Sequence, residues 1–232
     1  MVISLMINLK NVNLFYPIFN QKSLRSTILN KEKNIKYYHA LKNINLNFQE
    51  GECVAIVGHN GSGKSSLLKV LSGVYRPTNG LITFEKKITS LLDLNVGLNL
   101  LGNATDNAYI LGNMLGLNKK YIQKNLNLIL EFSGIPKRFH QLPLSTYSDG
   151  MRARILISIA LTTRTEILVM DEFFGAVDKD FREKIFQYFK KKINEIKVFI
   201  IATHDEQIIK NFCNRVIELE NGVVVEDRYI SN

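Results

Sequence analysis

The stretch that decides the fold runs Gly58, His59, Asn60, Gly61, Ser62, Gly63, Lys64, Ser65 and Ser66. It directly follows the apolar run CVAIV at 53–57 and precedes a helical pattern of leucine and valine that ends at Gly73. Glycines at these spacings let backbone N–H groups point inward around a phosphate, and a helix start adds positive potential. This order predicts a phosphate-binding loop, in which Lys64 reaches the β- and γ-phosphate oxygens and Ser65 Oγ ligates Mg²⁺.

A second apolar run, ILVM at 167–170, ends in the two carboxylates Asp171 and Glu172. The end of such a strand lies beside the phosphate loop in an open α/β sheet. There Asp171 would hold Mg²⁺ through its water shell, and Glu172 would polarise the water that attacks the γ-phosphate. Acidic pairs at strand ends are also common as helix caps, so this prediction depends on the loop at Gly58.

The remaining pattern alternates between strands and helices. Strands are predicted at 2–9, 44–48, 53–57, 80–84, 88–92, 167–170, 198–202 and 216–219. Helices are predicted at 64–72, 104–115, 119–132, 150–161, 179–193 and 206–212. The alternation in the second half predicts a parallel sheet with crossover helices. We therefore expect a single α/β nucleotide-binding domain over 1–232, with a helical subdomain inserted at about 93–162.

Composition narrows the class of protein further. The chain has 232 residues, 46% of them hydrophobic, which suffices for one substantial core. We find no run of roughly 20 apolar residues and no signal-peptide cleavage site, so we expect a cytosolic protein. The net charge of +9 is spread along the chain, which favours a solvated basic surface, with attraction to anionic lipid or to nucleic acid as alternatives. Cys53 and Cys213 are predicted to be buried thiols.

Two further motifs give the chain a family resemblance. Residues 147–154 read YSDGMRAR, open a helical pattern and precede the acidic strand, and they resemble the signature sequence of ABC-type ATPases, with Asp149 and Met151 departing from its commonest form. Residues 202–205 read ATHD after an apolar strand and resemble the segment that carries the switch histidine of that family. The signature residues that the resemblance places at the nucleotide are Ser148, Asp149 and Gly150. His204 is placed at the γ-phosphate as a catalytic residue, and Asp178 matches a dimer-contacting loop.

The resemblance implies a P-loop NTPase (RecA-like) fold, the ABC nucleotide-binding domain, with an antiparallel β subdomain beside the core. It implies ATP and Mg²⁺ as cofactors, a second copy of the chain with ATP sandwiched at the dimer interface, and a separate transmembrane permease subunit. The signature form, the run SLLDLNVGL at 90–98 and the segment FFGAVDKDF at 173–181 look like the ATPases that export lipid-linked polysaccharide. Such a protein would lie peripherally on the cytoplasmic face of the inner membrane and would not bind nucleic acid.

Two family features have no unique match in this chain. The glutamine that senses Mg²⁺ is expected near Leu94, where Asp93 or Asn95 would have to replace it. The aromatic residue that stacks on adenine aligns with Tyr16 from one side and with Tyr37 from the other, and we prefer Tyr37. The two alignments differ because a polar, basic insertion at about 17–37 separates them. Its length indicates either a mobile insertion or a functional segment, which would fold over the nucleotide or lie against the membrane-facing side of the dimer.

Other functional classes compete with polysaccharide export. A soluble ABC ATPase acting on nucleic acid or ribosomes is supported only by the positive charge, because such proteins usually carry two ATPase cores or a long coiled-coil insertion. An importer is disfavoured by the YSDGM signature and by the missing glutamine. Some polysaccharide exporters carry an appended glycan-binding domain. If this sequence, which stops at Asn232, is full length, we expect substrate selection to fall to the membrane subunit or to upstream synthesis.

Overall fold

The computed structural model of the protein describes residues 4–18, 35–92, 97–162, 165–171, 177–192 and 195–230. The strands in these ranges are β1 (Leu5–Ile18), β2 (Lys36–Gln49), β3 (Glu52–Val57), β4 (Asn79–Phe84), β5 (Ile88–Leu91), β6 (Ile167–Met170), β7 (Val198–Ala202), β8 (Arg215–Glu220) and β9 (Val223–Tyr229). The helices are α1 (Lys64–Leu71), α2 (Ala104–Met114), α3 (Lys119–Ser133), α4 (Asp149–Leu161), α5 (Lys179–Lys192) and α6 (Glu206–Phe212).

Within the described ranges the strands form two sheets. The smaller sheet is antiparallel, with strand order β2-β1-β4. The larger sheet has the order β5-β6-β7-β3-β8-β9, and its neighbouring strands are parallel except for β8 and β9. The carboxyl ends of β3, β6 and β7 therefore meet at one edge of the larger sheet. The predicted fold class, an α/β core with an antiparallel β subdomain and a helical subdomain, is confirmed.

The larger sheet is buried on both faces. One face packs with the antiparallel sheet and α1 into a core that includes Leu9, Phe48 and Leu67. The other face packs against α4, α5 and α6 in a core that includes Ile157 and Ile185. Every residue of β6 and β7 is buried, which explains why both strands read as uninterrupted apolar runs. Helices α2, α3 and α4 also bury apolar side chains against one another.

The strands β1 and β2 are much longer than the sequence pattern predicts. They pair with each other out to Ile18 and Lys36, so both ends of the predicted insertion at 17–37 belong to strands. A polar strand at the surface lacks the apolar alternation by which strands are recognised in a sequence. Its backbone hydrogen bonds come from pairing with the neighbouring strand, which the sequence pattern does not reveal. The rest of that insertion lies outside the described residues.

The strand β9 is absent from the sequence prediction. It forms a hairpin with β8 through Asn221 and Gly222, which have φ values of 49° and 80°. Two successive residues with positive φ are typical of a two-residue hairpin turn, and Asn-Gly is the preferred pair there. The sequence signal for this strand was therefore present in that dipeptide.

Candidate nucleotide-binding site

The phosphate loop lies between β3 and α1 and packs tightly against its neighbours. Gly58 has a φ of 143°, and a Cβ atom there would lie 2.2 Å from the carbonyl oxygen of Leu219 in β8. Gly63, the residue before α1, has a φ of 110°, and a Cβ atom would lie 3.1 Å from the carbonyl oxygen of Ala40 in β2. Glycine is required at Gly58 because the backbone is left-handed and the neighbouring backbone leaves no room for a side chain.

Hydrogen bonds hold the loop in shape. Lys64 Nζ donates to the carbonyl oxygens of Gly58 at 2.6 Å and His59 at 3.0 Å, which places its ammonium group over the loop. The backbone N–H of Gly222 donates to the Ser62 carbonyl at 2.8 Å, which ties the loop to the β8–β9 turn. The positive charge and the N-terminus of α1 therefore converge where phosphates would bind.

A cavity of about 450 Å³ opens over the loop. The residues that line it are Tyr38, Ala40, Asn60, Gly61, Gly63, Lys64, Ser65, Ser66, Leu92, Asp171 and His204. Three predicted elements that are far apart in the sequence, namely the loop, Asp171 and His204, thus share one cavity. Ser65 and Asp171 offer a hydroxyl and a carboxylate, which suit Mg²⁺ because this ion takes few protein oxygens and completes its shell with water and phosphate. These residues fit the predicted ion.

Backbone contacts set the positions of Asp171 and His204. Asp171 follows β6, and its N–H donates to the Leu91 carbonyl of β5 at 3.1 Å. The N–H of the buried Thr203 donates to the Ile56 carbonyl of β3 at 3.2 Å, and its Oγ1 accepts a hydrogen bond from the N–H of Asp205 at 3.0 Å. His204, which lies between these two anchored residues, is exposed and lines the cavity. Both side chains therefore extend from the carboxyl ends of adjacent strands.

The signature segment lies at a different place on the molecule. Ser148 Oγ accepts a hydrogen bond from the N–H of Met151 at 3.2 Å and so caps α4. Asp149 forms an ion pair with Arg152, and both Ser148 and Asp149 are exposed. Among the described residues that line the cavity, none comes from 148–150. The capped N-terminus of α4 is therefore exposed, and its residues 148–150 are not among the described residues that line the cavity over the phosphate loop of the same chain.

The cavity brings in a tyrosine that the sequence reasoning missed. Tyr38 lines it, whereas Tyr37 is not among the described lining residues, because neighbours in a strand point to opposite faces. Tyr16 is half-buried, shares a hydrogen bond of 3.1 Å with Ser66 Oγ and contacts the ring of Tyr75 edge-on. Strand alternation could have separated Tyr37 from Tyr38, but only if the start of β2 had been recognised.

Some predicted site residues cannot be placed. Glu172, the predicted base, lies outside the described residues, as do Asp93 and Asn95, the alternatives for the glutamine position. Asp178 is described and forms an ion pair with Arg154 of the same chain. The predicted roles of these residues stay predictions.

The fold and the cavity define an α/β protein of the phosphate-loop nucleotide-binding class. Residues 41–175 match the family described as ABC transporter. The chain therefore belongs to the ABC transporter family, and the expected class of enzyme, an ABC-type ATPase, is confirmed.

Individual relatives support the same assignment. The chain is 32% identical to the O-antigen export system ATP-binding protein RfbE of Yersinia enterocolitica, over 94% of this chain and 95% of that protein. It is 38% identical to the teichoic acids export ATP-binding protein TagH of Shouchella clausii, over 82% of this chain and 52% of that protein. The expected resemblance to polysaccharide-exporter ATPases is confirmed.

A solved structure resembles the whole chain. It is a dimeric ATP-binding cassette in a post-hydrolysis state bound to ADP and Pi, with a TM-score of 0.79 and 26% identity, covering 98% of this chain and 100% of that one. Over the part of the chain that the structure describes, no helix is long and apolar enough to cross a membrane.

Proposed function

We propose that the protein is the ATP-hydrolysing subunit of a transporter that exports a lipid-linked cell-surface polysaccharide. The observation that carries the ATPase part is the cavity shared by the phosphate loop, Asp171 and His204. The export part is supported by the relatives, which are named for O-antigen and teichoic-acid export. The corresponding location is peripheral, on the cytoplasmic face of the membrane that holds the permease.

Each side chain of the cavity has a role in hydrolysis. The loop N–H groups and Lys64 bind the phosphates and offset their charge. Ser65 and Asp171 would hold Mg²⁺, which when bound would offset negative charge on the phosphate oxygens. Glu172 orients and deprotonates the attacking water, and His204 donates a hydrogen bond to the γ-phosphate.

The second copy of the chain completes the site. The N-terminus of α4 offers N–H groups and positive potential that suit an anion, and it is exposed on the surface of its own chain. If residues 148–150 of one copy face the loop of the other, the γ-phosphate is enclosed from both sides. Dimerisation then depends on ATP, because the nucleotide supplies contacts to both copies.

The permease is proposed to dock on an apolar loop before α2. Leu101 is 85% exposed and its neighbour Leu100 is 46% exposed, which is uncommon for two successive leucines on a monomer surface. The buried Asn107 side chain shapes this loop, since it accepts a hydrogen bond from the Asn99 N–H and donates to the Asn99 carbonyl, both at 2.9 Å. A hydrogen-bonded loop with an apolar tip suits an apolar groove on a partner protein.

The test is ATP hydrolysis by the purified chain and by Glu172→Gln and Lys64→Ala variants. Glu172→Gln should bind ATP and form a stable ATP-dependent dimer in size-exclusion chromatography, because the amide keeps the size of the side chain and loses the base. Lys64→Ala should abolish binding or turnover, because the phosphates lose their main cation. Hydrolysis by Glu172→Gln at the parental rate would remove Glu172 from this role. A parent that hydrolyses ATP but does not support polysaccharide export in cells would contradict the transport assignment.

A further inference from the structure

An ion pair joins the signature helix α4 to the start of α5. Arg154 Nε donates to Asp178 Oδ2 at 3.1 Å, and Arg154 Nη2 donates to the same oxygen. Arg154 lies about 1.7 turns along α4 from Ser148, about 9 Å along the helix axis. Asp178 immediately precedes α5. The contact therefore connects the helix that carries the signature with a helix of the ATPase core.

Asp178 is fixed from both sides. Its Oδ1 accepts a hydrogen bond from the N–H of Phe181 at 3.1 Å, and its carbonyl oxygen accepts one from the N–H of Arg182 at 3.0 Å, so the residue caps α5. The hydrogen bond from Arg154 holds the pKa of the Asp178 carboxyl below its usual value, with the Phe181 N–H acting in the same direction. The carboxylate is therefore an ionised and rigidly held partner for the arginine at neutral pH.

Aromatic packing fixes the arginine as well. The Arg154 guanidinium lies 5.1 Å from the centre of the Phe181 ring, and Phe181 is buried. Phe132, near the end of α3, contacts Phe181 edge-on at 5.8 Å. Lys184 of α5 donates hydrogen bonds to the final carbonyls of α3, at 3.2 Å for Glu131 and 2.7 Å for Phe132. Helices α3 and α4 thus both attach to α5 at this junction.

Helix α5 is in turn packed on the sheet that carries the nucleotide site. Phe181 and Ile185 share a buried cluster with Met170, the residue before Asp171. The Arg154 contacts therefore add a polar connection between α4 and the core, from Arg154 through Asp178 and α5 to β6, beside the direct apolar packing of α4 on the sheet.

We propose that Arg154 is a positioning residue for the shared active site, because it holds the capped end of α4 at a fixed angle to the core. This inference rests on the proposed function, in which the capped end meets ATP on the second copy. A guanidinium can bond a carboxylate through two N–H groups while stacking on a ring, which an ammonium cannot do equally well. A displacement of about 1 Å at the capped N-terminal end of α4 would suffice to lower the rate of ATP hydrolysis.

The first measurement reports the orientation of α4 and its neighbouring helices relative to the core, and it does not require ATP hydrolysis. Spin labels at Glu85→Cys, directly after β4, and at Lys124→Cys, on α3, are both at exposed positions. They report the distance between the antiparallel sheet, which packs on the larger sheet, and the helices that pack with α4. The native thiols should stay unlabelled, because burial raises the pKa of Cys53 to about 11 and that of Cys213 to about 12. Arg154→Met should broaden the distance distribution, and Arg154→Lys should broaden it less. An unchanged distribution in Arg154→Met would overturn the proposal.

The second measurement is the rate of ATP hydrolysis. Arg154→Met and Asp178→Asn should each lower kcat about tenfold, with the ATP affinity of the single chain unchanged, because the phosphate loop is untouched. The double variant should be no slower than either single variant if the two residues act as a pair. The matched control is Lys192→Met, which breaks the ion pair with Glu195 at the other end of α5 and should leave both readouts unchanged.

The outcomes separate this proposal from the proposed function. A broadened distribution with unchanged kcat, or a loss of thermal stability alone, would make the pair merely structural and contradict the positioning role. A parent chain without ATPase activity would contradict the proposed function, whereas the spin-label distances would still decide whether Arg154 orients α4.

Discussion

Tyr38 is the aromatic residue best placed to stack on the adenine of ATP. It lines the cavity over the phosphate loop, whereas Tyr37 is not among the described lining residues and points to the other face of β2. Tyr16 already has contacts of its own, with Ser66 and Tyr75. The preference for Tyr37 drawn from the sequence is thus not supported by the cavity lining, and a pair of neighbouring substitutions distinguishes the two.

We predict that Tyr38→Ala weakens ATP binding by the single chain by roughly 10-fold, because base stacking on an aromatic ring is worth about 1–3 kcal/mol. Tyr37→Ala is the matched control, since it removes the same side chain from the adjacent position. Affinity for a fluorescent ATP analogue is the measurement. Equal losses in both variants, or a loss only in Tyr37→Ala, would show that Tyr38 does not stack on the base.

At the scale of secondary-structure elements, the capped end of α4 decides whether the active site is shared. Copies with Lys64→Ala have a defective loop, and copies with Ser148→Arg have a blocked signature end. A mixed dimer contains one composite site in which both parts are intact. We therefore predict that mixing the two inactive variants restores part of the ATP hydrolysis, up to half that of the parent dimer. Failure to regain activity in any mixture would count against a shared site.

The loop that presents Leu101 is the second element with a separable role. Leu101→Asp should leave ATP hydrolysis by the purified chain unchanged and should reduce export in cells, because a charged side chain would not enter an apolar groove. Leu128→Asp, at an exposed leucine of α3, is the control for a surface charge elsewhere on the helical subdomain. Equal export by the Leu101→Asp variant and the parent would place the permease contact elsewhere.

For the molecule as a whole, the pairing of β1 with β2 continues past the nucleotide cavity to the described residues on either side of the basic insertion. The strands pair out to Ile18 and Lys36, and Tyr38 in β2 lines the cavity. We expect the insertion at about 17–37 either to fold over the nucleotide or to contact anionic lipid. The charge of the chain, +9, is compatible with the second role, since each lysine or arginine near an anionic surface contributes about 1 kcal/mol.

We predict that deleting residues 23–33 leaves the fold intact and lowers either ATP affinity or export. A variant that keeps the length but replaces Arg25, Lys31 and Lys33 by glutamine separates charge from length. Loss of export in both variants with normal ATP affinity would support the lipid contact, and loss of ATP affinity in the deletion alone would support a cover over the nucleotide. Parental values in every assay would make the insertion a passive spacer.

The sequence by itself determined the chemistry of this protein. The phosphate loop and the acidic pair after 167–170 are local patterns whose residue types suit the binding of phosphate and Mg²⁺. The segment at 147–154 was identified by its resemblance to a family signature. Most helices, and the buried strands β6 and β7, were also predictable, because their apolar patterns repeat over a whole element. These features depend on neighbours in the chain, so reading the chain was enough.

Only the tertiary structure decided which side chains meet. It placed Tyr38 rather than Tyr37 in the described lining of the nucleotide cavity, because the face of a strand depends on pairing register. It brought His204 and Asp171 to one cavity through β3, β6 and β7. It also paired Arg154 with Asp178, residues that neither periodicity nor spacing connects. Such contacts join segments far apart in the sequence, and their geometry is fixed by packing of the whole core rather than by any local pattern.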